Sequence, residues 1–356
     1  MKEHSEINFE GAVCPIPFHH SGQIVLGHGS GGKLTHDLVA RLFIPGFDNP
    51  ILRAGDDAGV LEVESGIRLA VSTDSHVVWP LFFPGGDIGR LSICGTVNDV
   101  AVMGAEPKWI TAGFILEEGL EVETLQRVID SMHAAAQEAG IALVAGDTKV
   151  VQRGKADGLY INTTGIGLIP AGINPNGSKA EDGDAIILTG TIGDHGMAVV
   201  SARSDLGFTS SIQSDIAPLN QMVRSVLEAA GDAIHVMRDP TRGGLATTLN
   251  EIARQSGKGI VIEEKAILIK SPVRAACEML GFDPLYVANE GKMVIFVKPD
   301  LAARTLAAVR ACRYGEEAEM IGEVGGAPNG MVLMKTNFGS TRVIDILMGE
   351  ILPRIC

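Results

Sequence analysis

The chain has 356 residues and 37.4 kDa, too many for one ordinary core, and at about 150 residues per domain it predicts two domains. Hydrophobic residues make up 46% and charged residues 20%, the composition of a folded globular chain and not of a disordered one. A net charge of −14 and an aromatic content of only 4% oppose the backbone attraction and base stacking of a nucleic-acid binder.

Residues 1–20 read as a polar arm without the apolar h-region of a secretory leader. No apolar run reaches the ~18 residues of a membrane span. The cysteines, Cys14, Cys94, Cys277, Cys312 and Cys356, are scattered and form no CxxC pair. A disulfide framework or zinc cluster is not expected, and the chain reads as cytoplasmic. Residues 21–170 form the first expected domain. Within it, 67–72 read as a buried strand and 86–103 as a helix; 122–139 form a strongly periodic helix ended by Gly140, and 141–145 and 159–168 are further strands. Pro, Gly and Asn punctuate 171–183, the expected linker. The second domain, 184–338, reads as strand 185–189, a Gly-rich turn at 190–196 opening a helix, helices at 243–255, 273–280 and 301–312, and strands at 293–297 and 320–324. Residues 339–356 read as a tail that ends free. The fold class expected is α/β (α+β), in two halves.

Gly27 to Lys33, GHGSGGK, has the GxxxxGK spacing of a phosphate-binding loop, but Leu34 stands where the magnesium-binding hydroxyl belongs. Two readings stay open. One is a mobile lid whose backbone N–H groups, at Gly31 and Gly32 among others, meet phosphates together with Lys33. The other is a flexible turn before a helix. Aspartates recur in Gly, Ser, Thr and Asn contexts: Asp56 and Asp57, Asp74, Asp99 after Asn98, Asp147 before Thr148 and Lys149, and Asp239. Any one of them alone could cap a helix or make an Asx-turn. Asp74 and Asp147 are expected just after apolar strands, where open α/β sheets place ligands. Asp99 interrupts a largely apolar helix, where an unpaired carboxylate is costly. Hard oxygen donors without His or Cys suit magnesium bridging phosphates. Glu290, in ANEGK, is either a surface residue or a general base. Cys356 is the last residue. Prenylation wants a cysteine four from the end, so the terminal thiol points to some other use.

In chain order, GHGSGGK, GDDAGVL, STDS, GGDIGRLSICGTVNDVAVMGAEP, GFILEEGL, GDTKVVQRG, GDHG, TRGGL, ANEGK and terminal PRIC resemble the HypE family of hydrogenase maturation factors. That family consists of carbamoyl dehydratases in the superfamily of aminoimidazole ribonucleotide synthetase, selenophosphate synthetase and thiamine phosphate kinase. The resemblance runs over residues 22–356. It implies a two-domain aminoimidazole ribonucleotide synthetase-like fold, and a homodimer whose N-terminal domains pair into a shared barrel. It implies ATP in the cleft, with Mg2+ and phosphates met by Asp56, Asp74, Asp99, Asp147 and Asp239. The nucleotide would also meet Gly31, Gly32, Lys33, Asp57, Asn98 and Thr148. Cys356 would carry a carbamoyl group as a thioester, delivered by the carbamoyltransferase HypF. The resulting thiocyanate would pass to the HypC–HypD complex as the cyanide ligand of nickel–iron hydrogenase.

The chemistry agrees with this resemblance. Oxide cannot leave a thiocarbamate at neutral pH, whereas phosphate can, once ATP has phosphorylated the carbonyl oxygen. Glu290 is the candidate base that strips the nitrogen, and Lys149 the candidate stabiliser of the oxygen or departing phosphate. One competing reading is a superfamily kinase or synthetase acting on a free small molecule, of selenophosphate or thiamine phosphate type. Another is a non-enzymatic nucleotide switch. The terminal cysteine opposes the first, and Glu290 together with Cys356 opposes the second.

Overall fold

The computed structural model describes residues 23–47, 49–63, 66–203, 211–347 and 354–356. The expected arm at 1–20 lies outside the described residues. The first half contributes β1 (Gly59–Glu62), β2 (Arg68–His76), β3 (Phe82–Phe83), β4 (Gly86–Asp87), β5 (Glu106–Glu117), β6 (Ala142–Val151) and β7 (Leu159–Ile169). β3 and β4 make a small ribbon, and the other five form a sheet in the order β1-β2-β7-β5-β6. Only β5 and β6 are parallel, joined by the crossover helix Val122–Ala139. That helix ends as its sequence predicts: Gly140 takes φ 71° and its N–H caps the last turn.

The second half contributes β8 (Ala185–Leu188), β9 (Ile234–Arg238), β10 (Ile260–Glu263), β11 (Val294–Val297), β12 (Glu319–Val324), β13 (Val332–Lys335) and β14 (Thr341–Ile344). They form one sheet in the order β14-β13-β10-β12-β8-β11-β9. Several of these strands have four residues each and are buried on both faces, so they carry no alternation to read. β14 corrects one expectation. Part of the segment read as a free tail is a sheet strand, paired antiparallel with β13.

Helix Ile88–Val102 ties the two halves together. It is apolar nearly all round, which fits a helix covered on every side. Asp87 caps it, its Oδ1 accepting from Gly89 N (2.7 Å) and Arg90 N (3.0 Å). One side lies on the first sheet. Gly165 and Gly167 of β7 allow this approach: a Cβ on them would sit 2.7 Å from Thr96 Cγ2 and 2.5 Å from Val100 Cγ1. The other side faces the second half. Asn98, fully buried, donates to Ala217 O (3.1 Å) and Glu290 O (3.2 Å) and accepts from Leu219 N (2.8 Å). The hydrophobic core is continuous across this joint, with Ile93, Val97 and Ile161 in one cluster with Met197, Val273 and Ile355.

Candidate active site

The cleft between the halves gathers carboxylates from four segments. Asp74 comes from β2, Asp99 from the central helix, Asp239 from the residue after β9, and Glu290 from the turn before β11. Asp74 lies within its strand and not after it, because the β2–β7 ladder runs on to His76. Convergence is tightest over Gly95. A Cβ built there would lie 3.3 Å from His76 Cε1, 3.6 Å from Asp74 Oδ2 and 4.0 Å from Glu290 Oε2.

These acids crowd one another in a poorly solvated place. Burial, then the charge of Asp57, pushes the Asp239 carboxyl up to about 8. Burial, then Asp239 and Asp74, holds Glu290 well above the usual carboxylate range, while Arg242 pulls the other way. Asp99 is raised well above its ordinary value by burial and then by Asp239, Asp74 and Asp57, against a 2.7 Å bond from Ser72 Oγ. Asp57 is raised to about 6 by burial, although Arg238 Nε lies 2.9 Å from its Oδ1. Asp239 Oδ2 is buried with no hydrogen-bond partner. A site that stacks like charges and leaves a carboxylate oxygen unmet is chemically suited to a cation. Among the described residues no three His, Cys, Asp or Glu side chains close round an ion by themselves.

The Gly-rich loop closes one end of the cleft. Gly31 has φ +76°, and a Cβ on it would lie 3.2 Å from Arg242 Cβ. Arg242 Nη1 donates to Gly29 O (2.9 Å), and Lys33 N donates to Leu347 O (3.1 Å). Lys33 itself points away from the carboxylates, its Nζ 3.6 Å from Asp345 Oδ2 on the surface. A cavity of about 150 Å³ lies under the loop, lined by Gly29, Ser30, Gly32, Arg242, Thr247 and Cys356 among others.

The chain terminus corrects the expectation of a free end. Val77 N donates to Cys356 O (3.1 Å), Trp79 N donates to Arg354 O (3.2 Å), and Ile355 is 5% exposed. Cys356 is half-buried on the cavity wall. Its proximity is the first influence that raises the Arg242 guanidinium, ahead of Asp74, whose Oδ1 lies 3.7 Å from Arg242 Nη2. Arg242 therefore bridges the loop, the carboxylates and the terminal residue. Sequence reasoning quoted its motif without giving it a role. A cation two residues beyond Asp239-Pro240 was the available signal.

Other expected residues stand apart. Asp56 Oδ1 accepts from Gly177 N (3.0 Å), at the edge of the cleft. Asn98 spends its amide on the backbone of Ala217, Leu219 and Glu290, joining the two halves behind the cleft. Asp147, Thr148 and Lys149 lie inside β6, an edge strand exposed along nearly its whole length. Asp147 Oδ1 and Oδ2 accept from Lys149 Nζ at 2.7 and 2.6 Å. Register places Asp147 in line with Gly113, Asn162 and Ser75, on the sheet face opposite Asp74 and the central helix. Three strands further on, at about 4.8 Å per strand, no side chain spans that gap. Within one chain the Asp147–Lys149 pair does not reach the cleft.

Residues 55–169 match the family described as AIR synthase related protein, N-terminal domain, and residues 181–335 match AIR synthase related protein, C-terminal domain. The chain is 53% identical to carbamoyl dehydratase HypE of Cupriavidus necator, over 94% of this chain and 95% of that protein. It superposes on a HypE from a HypE–HypF complex with TM-score 0.82 and 47% identity, covering 87% of this chain and 99% of that one. It superposes on a HypE in complex with ATP with TM-score 0.78 and 48% identity, covering 94% and 100%.

Proposed function

This chain belongs to the carbamoyl dehydratase HypE family, and from that premise we propose how its residues perform the ATP-dependent dehydration of a carbamoyl group for hydrogenase maturation. The observation that carries the reading is the terminal Cys356, held beside Arg242 at a cleft of crowded, buried carboxylates.

The group is carried as S–C(=O)–NH2 on Cys356. The carbonyl oxygen attacks the γ-phosphoryl of ATP, ADP leaves, and the nitrogen gives up one proton, leaving S–C(OPO3)=NH. Loss of phosphate and the second nitrogen proton gives S–C≡N. Water thus departs as an oxygen on phosphate and two protons. Glu290 is the base: burial, then Asp239 and Asp74, raise its proton affinity well above that of an ordinary carboxylate. Arg242 holds the carried group and the Gly-rich loop to one geometry. Asp74, Asp99, Asp239 and, at the edge, Asp56 are the side chains that would hold Mg2+. The ion when bound supplies charge neutralisation for the transferring phosphoryl group.

A second copy completes the site in this reading. An unpaired ten-residue edge strand is an aggregation hazard unless it is covered. Beside it, Trp109 and Ile115 of β5 are 41% and 44% exposed on the face that bears Asp147 and Lys149. Pairing of two such faces as a homodimer brings the partner's acid–lysine pair towards this cleft, with Asp147 as a further metal ligand, Thr148 beside it and Lys149 as the stabiliser of oxygen or phosphate. HypF is the carbamoyl donor and the HypC–HypD complex the cyanide acceptor. The reaction belongs in the cytoplasm, where a reactive thiol stays reduced. Among the described residues no helix is long and apolar enough to cross a membrane.

The test is intact mass after incubation with HypF, carbamoyl phosphate and ATP. Wild type should gain a carbamoyl group and then lose water, and Cys356→Ala should gain nothing. A carbamoyl or cyano adduct on Cys356→Ala would assign the chemistry to another nucleophile.

A further inference from the structure

The terminal tripeptide docks by backbone hydrogen bonds without forming a regular strand, and Arg354 takes φ +57°. Its partner is the segment just beyond β2, through Val77 N to Cys356 O and Trp79 N to Arg354 O, with Arg354 Nε donating back to Val77 O (3.2 Å). The carbonyls of Arg354 and Cys356 both accept from this segment, and that of Ile355 is met elsewhere. Ile355 is buried, so its carbonyl needs a donor. His195 supplies it, with Nε2 2.6 Å from Ile355 O.

The imidazole is set up for this one bond. His195 is fully buried near the start of the helix Asp194–Ser201, with the edge of Phe83 against it at 5.6 Å between ring centres. A carbonyl can only accept, so Nε2 carries the hydrogen. Nδ1 then accepts from Ser214 Oγ (2.9 Å), and Ser214 Oγ in turn accepts from Ile216 N (3.3 Å). Each group in the chain Ile216–Ser214–His195–Ile355 has one consistent role. Arg203 Nη2 donates to Arg354 O (3.1 Å), and Arg354 Nη1 lies 2.5 Å from Asp157 Oδ2, so polar contacts also hold the start of the tripeptide.

We propose that His195, oriented by Ser214, is a positioning residue that latches the terminal tripeptide in place, so that Cys356 stays on the cavity wall it shares with Arg242. The inference rests on the reading of Cys356 as the group carrier for its purpose, but not for its test.

The test is pulse labelling of the full chain with N-ethylmaleimide, without ATP or carbamoyl donor, read at Cys356 by fragment mass. The buried Cys94 is the internal control for unfolding. His195→Ala should label about tenfold faster at Cys356, the scale of one net hydrogen bond, with Cys94 silent. His195→Gln keeps an N–H where Nε2 stood and should restore most of the protection. In carbamoyl-loaded protein, His195→Ala should slow single-turnover conversion by a similar factor with the ATP dependence unchanged. Labelling of Cys356 at the wild-type rate in His195→Ala overturns the latch. If that variant also exposes Cys94, Ser214→Ala decides: faster labelling at Cys356 alone supports the latch, and wild-type protection overturns it. A failure of the carrier reading would instead appear as a wild type that never gains the carbamoyl mass.

Discussion

Asp239→Asn should make the ligand-free protein more stable at neutral pH while abolishing turnover. Asp239 is 6% exposed, and its Oδ2 meets no partner. Its carboxyl is pushed from 3.8 to about 8, first by burial and then by Asp57. In the unfolded chain it titrates at its ordinary value. Between about pH 4 and about pH 8 the folded chain keeps a proton that the unfolded chain releases, so stability falls as pH rises through that window. At about pH 7 the carboxyl stays protonated roughly three pH units above its ordinary titration point. At about 1.4 kcal/mol per unit, that costs ~4 kcal/mol. Asp57, Asp74 and Asp99 share the same field, so removing one member should recover about 2–4 kcal/mol. Asparagine has the shape of the protonated acid and does not titrate. The gain should be near zero at about pH 4, grow through neutral pH, and level off above about pH 8. Urea unfolding of both full-length proteins across that range measures it. With ATP and magnesium present the order should reverse, because wild type alone gains the full stabilisation of a bound ligand. A stability difference independent of pH would refute the account of charge crowding at this residue, and unchanged turnover would refute its role in the site.

Glu290→Gln should still accept the carbamoyl group and bind ATP but stall before the nitrile, so that mass spectrometry finds the carbamoylated tail accumulating without loss of water. Normal conversion would remove Glu290 from the chemistry. Asp147→Asn and Asp239→Asn should each be inactive, yet mixing and reassembling the two should restore roughly a quarter of wild-type activity, since a mixed two-fold dimer keeps one intact site; no recovery would place both acids in one chain's site. Asn98→Ala leaves two buried carbonyls and the Leu219 N–H without their partner. It should cost about 2–4 kcal/mol in unfolding experiments, and a loss of ATP binding at full stability would instead place Asn98 at the nucleotide.

Much of the frame is legible in residue order. Leu125, Val128, Ile129, Met132 and Ala136 mark the helix Val122–Ala139, and Gly140 ends it. The central helix is visible as an apolar run broken only by polar residues such as Asn98 and Asp99. Shorter strands escape, among them β1, β9, β10, β13 and β14. A run of four or five residues has too few positions to display a period, and a doubly buried one displays none.

The candidate site divides along a different line. The residue types and their order mark the chemistry: oxygen donors without sulfur or imidazole partners, a glycine loop, a Glu before a strand, and a terminal thiol. Position in space is another matter. Asp74 and Asp147 have nearly the same local context, an Asp after small and apolar residues in a strand. Yet one faces the central helix and the other lies on the far face of an edge strand. Side-chain direction alternates with every residue, and strand order depends on pairing partners distant in sequence, so neither is encoded in the motif itself. Arg242 and His195 are likewise ordinary until the terminus folds back onto them, 114 and 161 positions from Cys356. Residue types and their order mark which groups are available and what reaction they suit. Which of them meet follows from the folded chain, because the contacts that join loop, carboxylates and tail are all long-range.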